Sequence, residues 1–154
     1  MKIYNKIAVQ NLPITLEEAW NFFSNPKNLK TITPEYMGFV IKSGADKPLF
    51  AGQLIEYVVT PLFGIKTQWV SEITQVKNQD YFVDQQVAGP YSMWHHKHFF
   101  RSIPGGVAVE DCVDYVVPLG IIGQLVHPFL VAPKINEIFN YRNAKLLELF
   151  GEFK

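Results

Sequence analysis

His96 and His98 stand two residues apart, and Asp84 and Asp111 flank them in neighbouring stretches of strand-like sequence. Those residue types support three kinds of chemistry. Histidine titrates near neutrality and an adjacent carboxylate can orient it, so Asp84, His96, His98 and Asp111 are the candidate catalytic residues for general acid/base work. Two imidazoles on one strand face could also converge on a metal, with Asp84 or Asp111 as a carboxylate ligand. Hydrogen bonds between the histidines and the neighbouring aspartates account for the same residues without a metal, and none is expected. The third use is to anchor the polar head or ketone of a bound molecule. Nothing in the spacing demands turnover, so binding is the leading expectation.

These residues act together only if the elements carrying them face one hollow. Ile3 to Gln10 reads as a strand, and Thr15-Leu16-Glu17-Glu18 is a capping box that opens a short helix running to about Ser24. Asn25-Pro26 starts a second brief helix through Leu29, which Thr33-Pro34 ends. Six strand patterns follow, over Met37–Ser43, Gln53–Thr60, Ile65–Val76, Tyr81–Ala88, Met93–Ile103 and Val107–Val117. Turn signals, among them Pro61 to Gly64, Gly89-Pro90 and Pro104-Gly105-Gly106, separate them as in an antiparallel meander. After Pro118-Leu119-Gly120 a helical period returns, with Ile121, Leu125, Phe129, Ile135, Phe139, Arg142 and Leu146 on one stripe. Pro128 and Pro133 predict a kink or break in this long terminal helix. The single domain spans 1–154.

Alternation along a strand fixes which side chains share a face. With Lys97 and Arg101 outside, Trp94, His96, His98 and Phe100 turn inward; with Glu110 and Asp114 outside, Asp111 and Tyr115 do the same. Phe82 in the core brings Asp84 and Gln86 with it, and Glu56 and Glu72 outside place Tyr57 and Trp69 within. An interior that is aromatic yet contains Asp84, Gln86, His96, His98 and Asp111 must pair its polar groups or let water reach them, because each left unpartnered costs about 1–3 kcal/mol. A curved sheet with such a face, closed by one helix, suits a ligand cavity of roughly 300–1,000 Å³. The expected ligand contacts are these inward residues together with Phe129 and Arg142 of the terminal helix. Arg142 is expected to contact either a ligand carboxylate or, more simply, one of the protein's own acids. Cys112 points outward, and Gly89-Pro90-Tyr91 reads as a turn.

Composition removes several classes. In 154 residues, 14 Lys+Arg balance 14 Asp+Glu, which suits neither a nucleic-acid binder nor a charged disordered chain. One cysteine allows no intrachain disulfide, and the first residues lack the apolar run of a signal peptide, so a cytoplasmic location is expected. The apolar region Val116 to Ala132 is interrupted by prolines and falls short of the roughly 18 residues of a membrane span. Without Lys or Arg it is expected to pack across the sheet rather than insert into or lie on a membrane.

The motifs Phe22-Phe23-Ser24-Asn25-Pro26-Lys27-Asn28-Leu29, Ile32-Thr33-Pro34, Asp84-Gln85-Gln86, Gly89-Pro90-Tyr91, Trp94-His95-His96-Lys97-His98-Phe99, Asp111-Cys112-Val113-Asp114-Tyr115 and Tyr141-Arg142 occur in this order over nearly the whole chain. In that order they resemble the SRPBCC, or START/Bet v 1-like, superfamily, and more specifically its bacterial polyketide cyclase/dehydrase-like group. The resemblance implies an α+β helix-grip fold, a seven-stranded curved antiparallel sheet wrapped around a long C-terminal helix with two short helices after strand 1. It implies binding, carriage or sensing of a small apolar or amphipathic molecule between sheet and helix, with no cofactor. The alternative it offers is a cofactor-independent cyclase or dehydratase acting on a polyketide-like or aromatic substrate. The superfamily is not generally metal-dependent.

Overall fold

The computed structural model describes residues 1–61 and 64–154. The chain runs β1 (Tyr4–Leu12), α1 (Leu16–Phe23), two short 3-10 helices (Pro26–Lys30 and Glu35–Met37), β2 (Val40–Ser43), β3 (Gln53–Val59), β4 (Thr67–Lys77), β5 (Tyr81–Ala88), β6 (Met93–Ile103), β7 (Gly106–Val116), α2 (Gly120–Val126) and α3 (Val131–Phe150). Caps set the helical entry as the sequence predicts. Thr15 Oγ1 accepts from the Glu18 amide at 3.1 Å while the Glu18 carboxylate accepts from the Thr15 amide at 2.8 Å. Asn25 accepts from the Lys27 amide, with Pro26 at the first helical position. The turn predicted over Pro61 to Gly64 includes Leu62 and Phe63, which lie outside the described residues.

All seven strands form one antiparallel sheet in the order β1-β7-β6-β5-β4-β3-β2, so the first two strands are its outer edges. On the β1 side, α3 is tied to the edge strand by Lys6 Nζ donating to Asn136 at 2.8 Å and Gln10 Nε2 to the Asn143 carbonyl at 3.1 Å. The register sets Asp84 opposite His96 and His98 opposite Asp111, so three adjacent strands deliver the four titratable residues to one place. A bulge at Thr74, between the Ile73–Asp84 and Gln75–Val83 pairs, bends β4 beside them.

Two parts of the interior differ. Trp20 of α1, Phe82, Phe100, Val107, Val109 and Leu146 form a packed cluster with Leu12, Ala19 and Ile32. Two further clusters, Ile135 and Phe139 of α3 on Val113 and Tyr115, and Met37 and Phe39 on Ile55, Tyr57 and Ile73, flank a hollow left between the sheet and α3.

The terminal helix breaks near Pro128, as the sequence predicts, and departs from expectation in where its first part packs. It is two helices: α2 ends before Pro128, and α3 begins at Val131 with Pro133 in its first turn, where no intrahelical amide donor is needed. His127 marks the junction. Its ring stacks on Tyr4 at 3.6 Å, and its Nε2 lies 2.8 Å from the Tyr115 hydroxyl. Because of this break, α2 does not pack across the sheet. Ile121, Leu125 and Phe129, placed on the buried stripe by periodicity, are exposed, Phe129 by 78%. Among the described residues no helix is long and apolar enough to cross a membrane.

Candidate functional site

The hollow has a volume of about 320 Å³, at the small end of the range for small-molecule sites. Strands β3 to β6 contribute Ile55, Tyr57, Trp69, Ile73 and Trp94, α3 contributes Ile135, Ile138 and Phe139, and the 3-10 region closes the far side with Leu29, Ile32 and Met37. Burial pushes the Tyr57 and Tyr91 hydroxyls upward, so both are neutral phenols in the wall.

Asp84, His96, His98 and Arg142 also line the hollow, at its boundary with the packed cluster, where Phe82 stacks on His98 with ring centres 4.1 Å apart. The aligned hydrogen bonds run diagonally across the strands. His98 Nε2 lies 3.0 Å from Asp84 Oδ2, and His96 Nε2 lies 3.0 Å from Asp111 Oδ1. The same Asp111 oxygen is 2.9 Å from His98 Nδ1, and its other oxygen is 2.9 Å from Arg142 Nη2. Both approaches are close enough for charge attraction but off the donor direction, and they leave His98 Nδ1 and Arg142 Nη2 without an aligned acceptor. His96 Nδ1 faces Asp84 Oδ2 at 3.9 Å. Behind Asp84, Trp69 Nε1 donates to Ser71 Oγ at 3.1 Å, and that hydroxyl reaches Asp84 Oδ1 at 3.5 Å.

The two histidines are driven apart electrostatically. Burial alone would lower His98, but Asp111 and Asp84 outweigh it and raise its pKa. Burial lowers His96 together with the charge on His98, despite its own aspartate contacts. Burial would raise Asp111, yet the Arg142 guanidinium and the histidine hydrogen bonds hold it well below the usual carboxylate range; Asp84 is lowered by His98 and His96 against the same burial effect. Charge and burial thus bias His98 toward the imidazolium, set with Arg142 against two carboxylates, and His96 toward the neutral ring. A neutral base beside a protonated acid can orient a polar guest or move a proton. One ligand atom from each of Asp84, His96 and His98 lies within 4.8 Å of the others, so these three residues could hold a metal ion.

The structure places Tyr57, Trp69, Phe82, Asp84, Trp94, His96, His98 and Arg142 at the hollow. Five other sequence candidates lie elsewhere. Asp111 sits behind the histidines. Gln86 turns back to clamp the β5–β6 turn, donating to the Tyr91 carbonyl at 2.7 Å and accepting from its amide at 3.2 Å. A Cβ on Gly89 would come within 2.4 Å of that Gln86 side chain and would displace the clamp. Phe100 is buried in the packed cluster, Tyr115 is committed to His127, and Phe129 is exposed. Arg142 meets one of the protein's own acids, Asp111. The sequence reading missed the wall supplied by Leu29, Ile32 and Met37; their three- to five-residue spacing was the available signal.

No protein-family model matches the chain, and no curated protein matches it. Solved structures do. A Chromobacterium violaceum protein superposes with a TM-score of 0.72 at 12% identity, covering 96% of this chain and 98% of its own. Ginseng major latex-like protein 151 from Panax ginseng gives 0.69 at 11%, covering 96% and 97%, and Ara h 8.0201 gives 0.62 at 13%, covering 96% and 99%. The chain has the Bet v 1-like helix-grip fold. At these identities the likeness is one of architecture, and one architecture hosts many activities.

Proposed function

We propose that this helix-grip protein binds a small apolar molecule bearing one polar oxygen, as a carrier or sensor. The apolar body fills the hollow among Trp69, Trp94, Ile138 and Phe139, and the oxygen meets His96 and Arg142. The observation that carries this reading is the asymmetry of the cavity, a mostly aromatic and aliphatic wall with Asp84, His96, His98 and Arg142 gathered where the hollow meets the packed cluster. Native mass spectrometry of freshly purified protein, followed by solvent extraction, tests it. A retained small molecule, or saturable binding of the fluorescent probe 8-anilinonaphthalene-1-sulfonate that Ile138→Trp abolishes, is expected. The absence of both a retained molecule and probe binding would overturn the reading. A ligand at about 100 times its Kd would add roughly 2.7 kcal/mol of stability.

The opposite biases on His96 and His98, side by side at the hollow, favour a second reading, cofactor-independent proton transfer of the cyclase or dehydratase kind. Its mark would be solvent deuterium incorporated into the extracted guest by the native protein and not by His96→Phe.

A further inference from the structure

We propose that Asp84, His96 and His98 form a binding site for one first-row divalent metal ion, with its open coordination positions turned into the hollow. The inference concerns the polar end of the cavity and rests on the binding reading only for what would fill those open positions.

The donor set is two imidazoles and one carboxylate from neighbouring strands, with one ligand atom from each within 4.8 Å of the others. Such a set suits zinc, iron(II) or cobalt(II), and is too rich in nitrogen and too poor in oxygen for calcium or magnesium. A second observation is independent of that clustering. A metal-bound imidazole characteristically gives its other ring nitrogen to a carboxylate, which fixes the ring and raises its basicity. Here one carboxylate stands beside both histidines: His96 Nε2 is hydrogen-bonded to Asp111 Oδ1 at 3.0 Å, and His98 Nδ1 lies 2.9 Å from the same oxygen but off its donor direction, so that a small turn of the ring would align it; both nitrogens are turned away from Asp84. That leaves His96 Nδ1 and His98 Nε2 facing Asp84 Oδ2, at 3.9 and 3.0 Å. Arg142 Nη2 occupies the other Asp111 oxygen at 2.9 Å and holds this carboxylate in the supporting position. Three ligands converge in front and one anchored acid stands behind.

Ligation requires both imidazoles neutral, and Asp84 and Asp111 against Arg142 then sum to one negative charge. A divalent ion reverses that to a single positive charge, matched by one anionic oxygen in an open position. Metal binding displaces whatever proton the pair holds, so it should release protons to solvent.

The test uses the full chain, stripped with chelator and titrated with Zn²⁺ alone and with Co²⁺ alone. About one equivalent should bind, and Asp84→Asn, His96→Ala and His98→Ala should each abolish it, with folding checked by circular dichroism. His95→Ala, on the opposite face of β6, should bind as the native chain does. Asp111→Asn should weaken binding roughly 10–100-fold without changing the stoichiometry. A readout that needs no variant is the proton spectrum of the Co²⁺ protein, where two paramagnetically shifted, solvent-exchangeable imidazole N–H signals are expected. Less than a tenth of an equivalent bound, binding unchanged in the folded His96→Ala chain, or no such N–H signals would overturn the proposal. Metal bound in protein that neither yields an organic guest nor binds the fluorescent probe would sink only the carrier reading, and a guest without metal only this one.

Discussion

The packed cluster around Trp20 and the hollow beside it are built from the same strands, and what separates them is the element laid on top. Over Phe82 and Phe100, α1 delivers Trp20 edge-on at 6.1 and 5.5 Å, and Phe23 and Phe150 complete the contact. Over Tyr57, Trp69 and Ile73, Met37, Phe39 and Leu29 from the 3-10 region and Ile138 of α3 pack at the edges and leave the hollow between them. Aromatic side chains on a concave sheet therefore make core or cavity according to whether a helix reaches them. The Asp–His–Arg cluster marks the boundary, where polar groups can be satisfied by one another and still face open space.

The largest effect expected from breaking this division is at its packed side. Trp20→Ala should cost about 3–5 kcal/mol in denaturant unfolding while leaving 8-anilinonaphthalene-1-sulfonate affinity within twofold in the chains that remain folded. Next, Arg142→Met leaves Asp111 buried without its guanidinium and should cost about 3–5 kcal/mol, measured with chelator present. At the boundary itself the effect should depend on pH. The Asp111 pKa is depressed from 3.8, so its stabilisation is present above about pH 4 and is lost as the pH falls through the lower folded value. His98 is raised from 6.5, so its contribution is complete below that value and is lost as the pH rises through the higher folded value. Metal-free His98→Gln should therefore lose most stability relative to the native chain near pH 6 and progressively less toward alkaline pH, in urea titrations at a series of pH values. The smallest stability change, within about 1 kcal/mol, is expected for Ile138→Trp, which fills space already present and should nonetheless abolish probe binding.

The sequence showed most of the sheet because its evidence is local. Alternation around Lys97, Arg101, Glu110 and Asp114 was enough to turn Trp94, His96, His98 and Asp111 to one face, and the register then set them opposite one another. It failed where periodicity had no knowledge of a partner. Ile121, Leu125 and Phe129 continue the helical stripe of α3, but Pro128 and the pinned His127 redirect the chain, so the stripe ends in solvent. Gln86 shows a different limit: its inward facing was correct, while its hydrogen bonds to Tyr91 depend on a turn geometry that alternation does not encode. Facing could not by itself separate Phe100 from Trp94, since only the arrival of α1 makes one solid core and the other cavity wall.

An open sheet has two rims at which a foreign strand could add, and this one guards both. One rim, β2, is only four residues long and carries Lys42, a poor template for extension; the other, β1, has α3 tethered alongside it through Lys6 and Gln10. Strand-to-strand polymerisation is thereby discouraged without closing the barrel, and the protein can keep an accessible interior and still resist joining its neighbours edge to edge.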